Sequence, residues 1–275
     1  MRRFDARKLG ISAIAGIAVA VALVSRPLTA PLPTTIELAD MTWVEVQTAL
    51  SQGYTTVIVP AGGIEQNGPH MVLGKHDYIV RRTAHAIAAE LGHTLVAPVV
   101  SYVPEGSYDP PSGHMRFPGT IGIPEAAYGA VVEGIARSLK AGGFKTICLI
   151  GDHGGSQAPQ AEVAARLNAE WAGKGVEVIH VDAYYSDAAQ VELLLRQGAS
   201  RAAIGEHASI IDTSELMAVH PEGVDLARTS GQPFTLRETG VIGDPSTASA
   251  ERGRQLLEIK IRAAVEQIRS RAAAH

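Results

Sequence analysis

Apolar residues return at helical spacing across residues 38–53, where Trp43, Val46 and Leu50 share a face and Gly53 supplies a stop. The pattern then shortens. Residues 54–59 form a compact β-prone run, read as a buried strand, and such runs alternate with helical stretches down the chain. A helix is expected over 78–91 on Val80, Ala84, Ile87, Ala88 and Leu91, and a strand over 95–100. The next helix, 124–141, opens on Pro124-Glu125 and closes on Gly142-Gly143, and a strand over 144–150 follows. Helix 157–172, strand 176–181 and helix 188–197 continue the order. A further helix runs to about Val219 with Asp212 or Thr213 as its N-cap. A long one covers 247–271, with Leu256, Ile259, Ile261 and Val265 among its apolar residues. Residues 104–120 hold too much Gly and Pro for regular structure, and such a loop usually covers something. The repeated order of strand, loop and helix implies an α/β fold with a mostly parallel sheet and helices on both faces.

Polar chemistry gathers just after three of these elements. The first strand runs into Ala61-Gly-Gly-Ile-Glu65-Gln-Asn67-Gly-Pro-His70, with His76 and Asp77 close behind. A carboxylate, an amide and imidazoles set between glycines make a poor core and a good metal pocket, because oxygen and nitrogen donors suit Zn, Mn or Fe. The strand over 144–150 ends in Gly151-Asp152-His153-Gly154-Gly155, which puts another imidazole at the same edge of a parallel sheet, where ligands collect. A third group, Glu206, His207 and Asp212, precedes a helix. His207 suits general acid/base work, with Glu206 to orient it. Asp212 is read equally as a metal ligand or a plain helix cap.

Composition narrows the partners. The chain has 275 residues, 46% of them hydrophobic, and a formal net charge of −4. No linker divides it after the N-terminus, so residues 35–275 are expected to form a single domain. Lys and Arg do not cluster beyond the first few residues, which argues against nucleic acid and for a small-molecule substrate. Cys148 is the sole cysteine and sits in an apolar run, so it reads as a buried, inert thiol, and an intrachain disulfide is impossible. Residues 1–34 differ from the rest: a basic start, an apolar run of about 16 residues from Leu9 to Val24, then a Pro-rich spacer. This is the form of an export signal, or of an N-terminal anchor if uncleaved. Periplasmic localisation is expected, with membrane contact only through that segment.

These motifs together resemble the creatininase family of metal-dependent amidohydrolases. The resemblance rests on Pro60-Ala-Gly-Gly-Ile-Glu65-Gln-Asn-Gly-Pro-His70 with Leu73-Gly74, on Phe117-Pro-Gly-Thr120, on Gly151-Asp-His153-Gly-Gly, on His207-Ala208 with Thr213-Ser214, and on Gly243-Asp-Pro. It implies a three-layer α/β/α fold, one or two divalent metal ions (Zn, Mn or Fe), hydrolysis of a cyclic or unusual amide, and a homo-oligomer. It carries metal binding to Glu65 and His153, proton handling to His207, and an acidic position before Thr-Ser to Asp212. His114 stands where the family has a histidine ahead of its Phe-Pro-Gly-Thr segment. Several positions depart from the family pattern: Asn67 stands where a histidine is common, His76, followed by Asp77, where an aspartate is common, Ser156 where an asparagine is usual, and Ser209-Ile210 where Gly-Glu is usual. An amide is a weaker metal donor than an imidazole, so the first two departures bear on a second metal position.

The expected mechanism has Glu65, His76 or Asp77, His153 and Asp212 holding metal, and His207 with Glu206 passing a proton to the leaving nitrogen. Asn67, His70, His114 and Asp152 are expected around the substrate. Two alternatives stand beside it: hydrolysis of a non-amide carbonyl, such as a lactone or cyclic ketone of a sugar or inositol, and a periplasmic binding protein that has lost turnover.

Overall fold

The computed structural model describes residues 34–229 and 234–272. The export segment expected over 1–34 lies outside the described residues save for Thr34. The first helix, α1 (Trp43–Ser51), is opened by a capping box in which Thr42 and Glu45 satisfy one another's backbone N–H groups. Strand β1 (Thr56–Ala61) follows, then α2 (Lys75–Leu91), β2 (Thr94–Val96), α3 (Glu125–Ala141), β3 (Thr146–Gly151), α4 (Gly154–Glu170) and β4 (Glu177–His180). Shorter helices α5 (Ala188–Arg196), α6 (Arg201–Ile204) and α7 (Ile210–Val219) lead to the long α8 (Ala250–Ala272).

The sheet is parallel throughout, in the order β2-β1-β3-β4. Side chains on successive strand residues point to opposite faces, so each strand feeds two cores. Val57, Val59, Ile147 and Leu149 pack with Tyr128 and Val132 of α3 and Val163 and Leu167 of α4. Ile58, Cys148 and Ile150 pack on the other face with Val80, Ala84 and Ile87 of α2 and Ala264, Val265 and Ile268 of α8. This is the three-layer α/β/α arrangement. Cys148 is fully buried in it, and burial lifts its thiol pKa to about 12.

Chain order puts the functional edge between β1 and β3. The chain leaves β1 for α2 on one face and leaves β3 for α4 on the other, so a crevice opens between the carboxyl ends of these two neighbours. Glu65 follows β1 and His153 follows β3.

Three element boundaries differ from expectation near this crevice. Helix α4 begins at Gly154 rather than at 157, with the His153 side chain capping it. Helix α2 begins at Lys75 rather than near residue 78, because its first turn is polar yet buried: Lys75 and His76 are 1% and 6% exposed, held by carboxylates instead of apolar neighbours. Helix α7 begins at Ile210 with Ser209 at the N-cap position, so neither Asp212 nor Thr213 is its N-cap. The Ser209 hydroxyl donates to the Ile204 carbonyl, and Asp212, inside the first turn, accepts the Ala208 N–H at 2.6 Å.

Candidate metal centre

Glu65 is the hub. Its side chain is fully buried, and its two oxygens face different partners. Oε2 lies 3.0 Å from His153 Nε2 and 3.3 Å from His114 Nε2. Oε1 lies 2.7 Å from His76 Nε2, 3.4 Å from Lys75 Nζ and 3.8 Å from His207 Nδ1. Burial by itself would raise the carboxyl pKa, but Lys75, His76 and His153 outweigh it and hold Glu65 well below the usual carboxylate range.

On the Oε2 side, Glu65, Glu105, His114 and His153 each bring one ligand atom to within 4.8 Å of the others, forming a cluster able to hold a divalent metal. Glu105 comes from the Gly/Pro-rich loop after β2 and is 4% exposed. Its Oε2 approaches His153 Nε2 at 3.1 Å without hydrogen-bond geometry, so neither Glu105 oxygen has a hydrogen-bond partner among the described residues. A buried carboxylate whose one polar neighbour is an imidazole is costly, and a cation among these donors would relieve it. Burial raises the Glu105 pKa, which the nearby His153 only partly offsets. His153 caps α4 and takes the Gly155 N–H on Nδ1 at 3.0 Å, which turns Nε2 toward the two carboxylates. Burial opposes charge on this ring, but Glu65 and Glu105 prevail and raise its pKa.

The Oε1 side is built otherwise. His76 lies between two carboxylates, its Nδ1 2.7 Å from Asp152 Oδ2 and its Nε2 2.7 Å from Glu65 Oε1, so neither nitrogen offers a lone pair to a metal. Lys75 bridges Glu65 and Asp212, with its Nζ 3.2 Å from Asp212 Oδ1. Asp152 in turn accepts from Tyr184 Oη at 2.8 Å and from Lys260 Nζ at 2.7 Å, and Lys260 also pairs with Glu215 at 3.2 Å.

The remaining expected site residues divide clearly. Asp77 does not face the metal cluster: it is the third residue of α2, and its Oδ1 accepts the Gly63 N–H at 3.1 Å, pinning the loop that presents Glu65. Gly62 must be glycine for this contact, since a Cβ there would meet Asp77 Oδ1 at 1.9 Å. Asp212 is taken up by Lys75 and the Ala208 N–H, and does not belong to the metal cluster. Asn67 and His70 stand behind the pocket wall. Asn67 Nδ2 donates to the backbone carbonyls of Glu65, Val72 and Leu73, and His70 Nε2 lies 3.0 Å from Thr213 Oγ1. His114, Asp152 and His207 do line a pocket of about 560 Å³ that also reaches Lys75, Tyr185 and Leu236.

Glu206 does not orient His207. The pair lies in a short antiparallel bridge to Ile242, where consecutive side chains point oppositely, and Glu206 is exposed on the pocket rim. The His207 ring is held instead by Gln66, whose backbone oxygen and side-chain Nε2 each lie 3.0 Å from His207 Nε2; in the tautomer with the proton on Nε2 the backbone oxygen accepts it. Nδ1 therefore keeps its lone pair toward the Glu65 side of the pocket. Burial, and after it Lys75, lowers the His207 pKa to about 4, so the ring is neutral near pH 7.

The creatininase family model, described as creatinine amidohydrolase, matches residues 39–268. The chain belongs to the creatininase family. Within this family of amidohydrolases it is 25% identical over 251 residues to the creatinine amidohydrolase of Pseudomonas putida, covering 84% of this chain and 95% of that protein. It is 26% identical over 234 residues to the mycofactocin precursor peptide peptidase of Mycolicibacterium smegmatis, covering 78% of this chain and 84% of that protein. A solved mutant creatininase of Zn–Zn type shares the fold at a TM-score of 0.73 and 24% identity, over 87% of this chain and 99% of that one. The two curated relatives act on different substrates by name, so family membership leaves this chain's substrate open.

Proposed function

We propose that this creatininase-family protein is a metal-dependent hydrolase of a cyclic or otherwise unusual amide in a small molecule, with Glu65, Glu105, His114 and His153 holding the metal. The observation that carries this reading is Glu105, a buried carboxylate with no hydrogen-bond partner among the described residues, 3.1 Å from His153 Nε2 and within ligand distance of Glu65 and His114. Two carboxylates and two imidazoles fit zinc, manganese or iron. When bound, such an ion supplies Lewis acidity, polarising a carbonyl and making a water acidic enough to attack it near neutral pH.

The chain's own residues do the rest. His207 Nδ1, neutral and unencumbered, takes a proton from the attacking water and returns it to the leaving nitrogen. Gln66 holds that ring through Nε2 and keeps the proton traffic on Nδ1. The Lys75 ammonium, in the pocket floor, favours the negative charge that develops on the carbonyl oxygen. Leu236 and Ile242 line the pocket beside these polar groups and exclude water from part of it.

The test is elemental analysis of the purified chain beside its Glu105→Gln and His153→Ala variants, followed by assay on a panel of cyclic amides with lactones and cyclic ketones for contrast. The expected result is bound metal in the wild type, affinity lowered about tenfold or more in both variants, and turnover confined to amides. Absence of metal after reconstitution, or metal content indifferent to both changes, would overturn the centre; turnover of lactones alone would move the reading to the non-amide carbonyl.

A further inference from the structure

Resting on the metal-centre reading, the geometry around Glu65 points to how many ions it takes. We propose that the centre holds one divalent ion, on the Oε2 side of Glu65, and that the Lys75 ammonium occupies the place of a second cation on the Oε1 side.

Glu65 is shaped to serve two cations at once, since each oxygen has its own set of neighbours. The Oε2 neighbours are metal donors with room among them. The Oε1 neighbours are not. Lys75 Nζ stands 3.4 Å from Glu65 Oε1 and 3.2 Å from Asp212 Oδ1, so a single positive charge already bridges two carboxylates, as a divalent ion would. It is 1% exposed and therefore has no water to retreat into. His76 spends both ring nitrogens on Glu65 and Asp152. Asn67 turns its amide nitrogen onto three backbone carbonyls. Asp212 spends one oxygen on Lys75 and the other on the Ala208 N–H. Among the described residues on this side, His207 Nδ1 and the Asn67 amide oxygen, which has no hydrogen-bond partner, keep free lone pairs, and one imidazole with a weakly donating amide does not make a site that would hold an ion against an ammonium already in place.

A fixed ammonium and an exchangeable ion differ in kind. Lys75 is covalently part of α2, so the inner charge survives chelation, and only the outer charge depends on metal supply. Lys75 is thus a positioning residue toward the metal: it excludes the second ion and holds Asp212 against the loop that carries His207.

Equilibrium dialysis of the full-length chain against zinc or manganese, read by elemental analysis, tests this. Saturation at one equivalent per chain is expected for the wild type and for Lys75→Arg. A double variant, Lys75→Ala with His76→Asp, removes the ammonium and supplies a carboxylate, and is expected to take up a second equivalent. Electron paramagnetic resonance of the manganese-loaded wild type gives an answer that needs no variant: isolated ions are expected, with no spin-coupled pair. Two equivalents or a coupled pair in the wild type would overturn the inference and leave the hydrolase reading intact. A folded double variant that stays at one equivalent would also overturn it, since the ammonium would not be what excludes the second ion. A wild type that binds no metal would fail the centre itself.

Discussion

His70 shows how a single buried side chain sets a pH limit. It is 2% exposed, its Nδ1 has no hydrogen-bond partner among the described residues, and burial lowers its pKa to about 4. An unfolded chain protonates the same ring near its ordinary pKa of about 6.5. As pH falls through that value the unfolded state takes up the proton first, so stability is full above about pH 6.5 and drains away down to about pH 4. The loss from this group is on the order of 3 kcal/mol. Urea denaturation of wild type and His70→Gln at pH 7, 5 and 4 checks this: the wild type should lose more stability than the variant across that range, and parallel curves would refute the assignment. Residue identity was the most legible level where a strand end flanked by glycines advertised chemistry, as at Glu65 and His153. It was least legible where polar groups are buried in pairs. Lys75 and Lys260 look like solvated helix charges in the sequence, and Glu105 is one carboxylate in an irregular loop. Its only signal was that a Gly/Pro-rich loop of such length tends to cover a site. Asp77 and Glu206 misled for the converse reason: their neighbours in sequence are in the pocket, but helix and strand geometry turn adjacent side chains apart.

At the scale of elements, the crevice depends on how closely β3 and α4 meet the loop after β2. Gly155, in the first turn of α4, has Pro104 O so near that an added Cβ would lie 2.1 Å from it and 3.1 Å from the His153 ring. Gly155→Ala therefore forces either the Glu105 loop or the His153 ring to move. The fold, whose cores lie on the sheet faces, should tolerate this with little change in melting temperature, while metal affinity falls about tenfold or more. Isothermal titration with zinc decides, and unchanged affinity would show that the loop yields freely. The α/β alternation and the parallel sheet were readable because strands buried on both faces and amphipathic helices leave different periodicities. The start of α2 was not, because its first turn is buried by ion pairing and so carries no apolar period. The capping of α7 was not, because good capping sequence at Asp212 serves Lys75 and the Ala208 N–H instead.

Across the whole molecule, charge ties the last helix to the site. Lys260 of α8 reaches Asp152 after β3 and Glu215 of α7, all three buried. Lys260→Met should cost about 3–5 kcal/mol, because it strands two buried carboxylates without a partner. Denaturant unfolding would reveal it, and a loss under about 1 kcal/mol would mean that Asp152 and Glu215 find other relief, by proton uptake or water. The layered architecture was legible as a whole from the sequence; this tie was not, since it joins residues 108 positions apart. It has a consequence in time. Until α8 has been synthesised and docked, Asp152 and Glu215 lack the cation between them, and Asp152 is the carboxylate that holds His76 on the side away from Glu65. The part of the pocket wall that Asp152, Glu215 and Lys260 form together is therefore completed only once translation has passed Lys260.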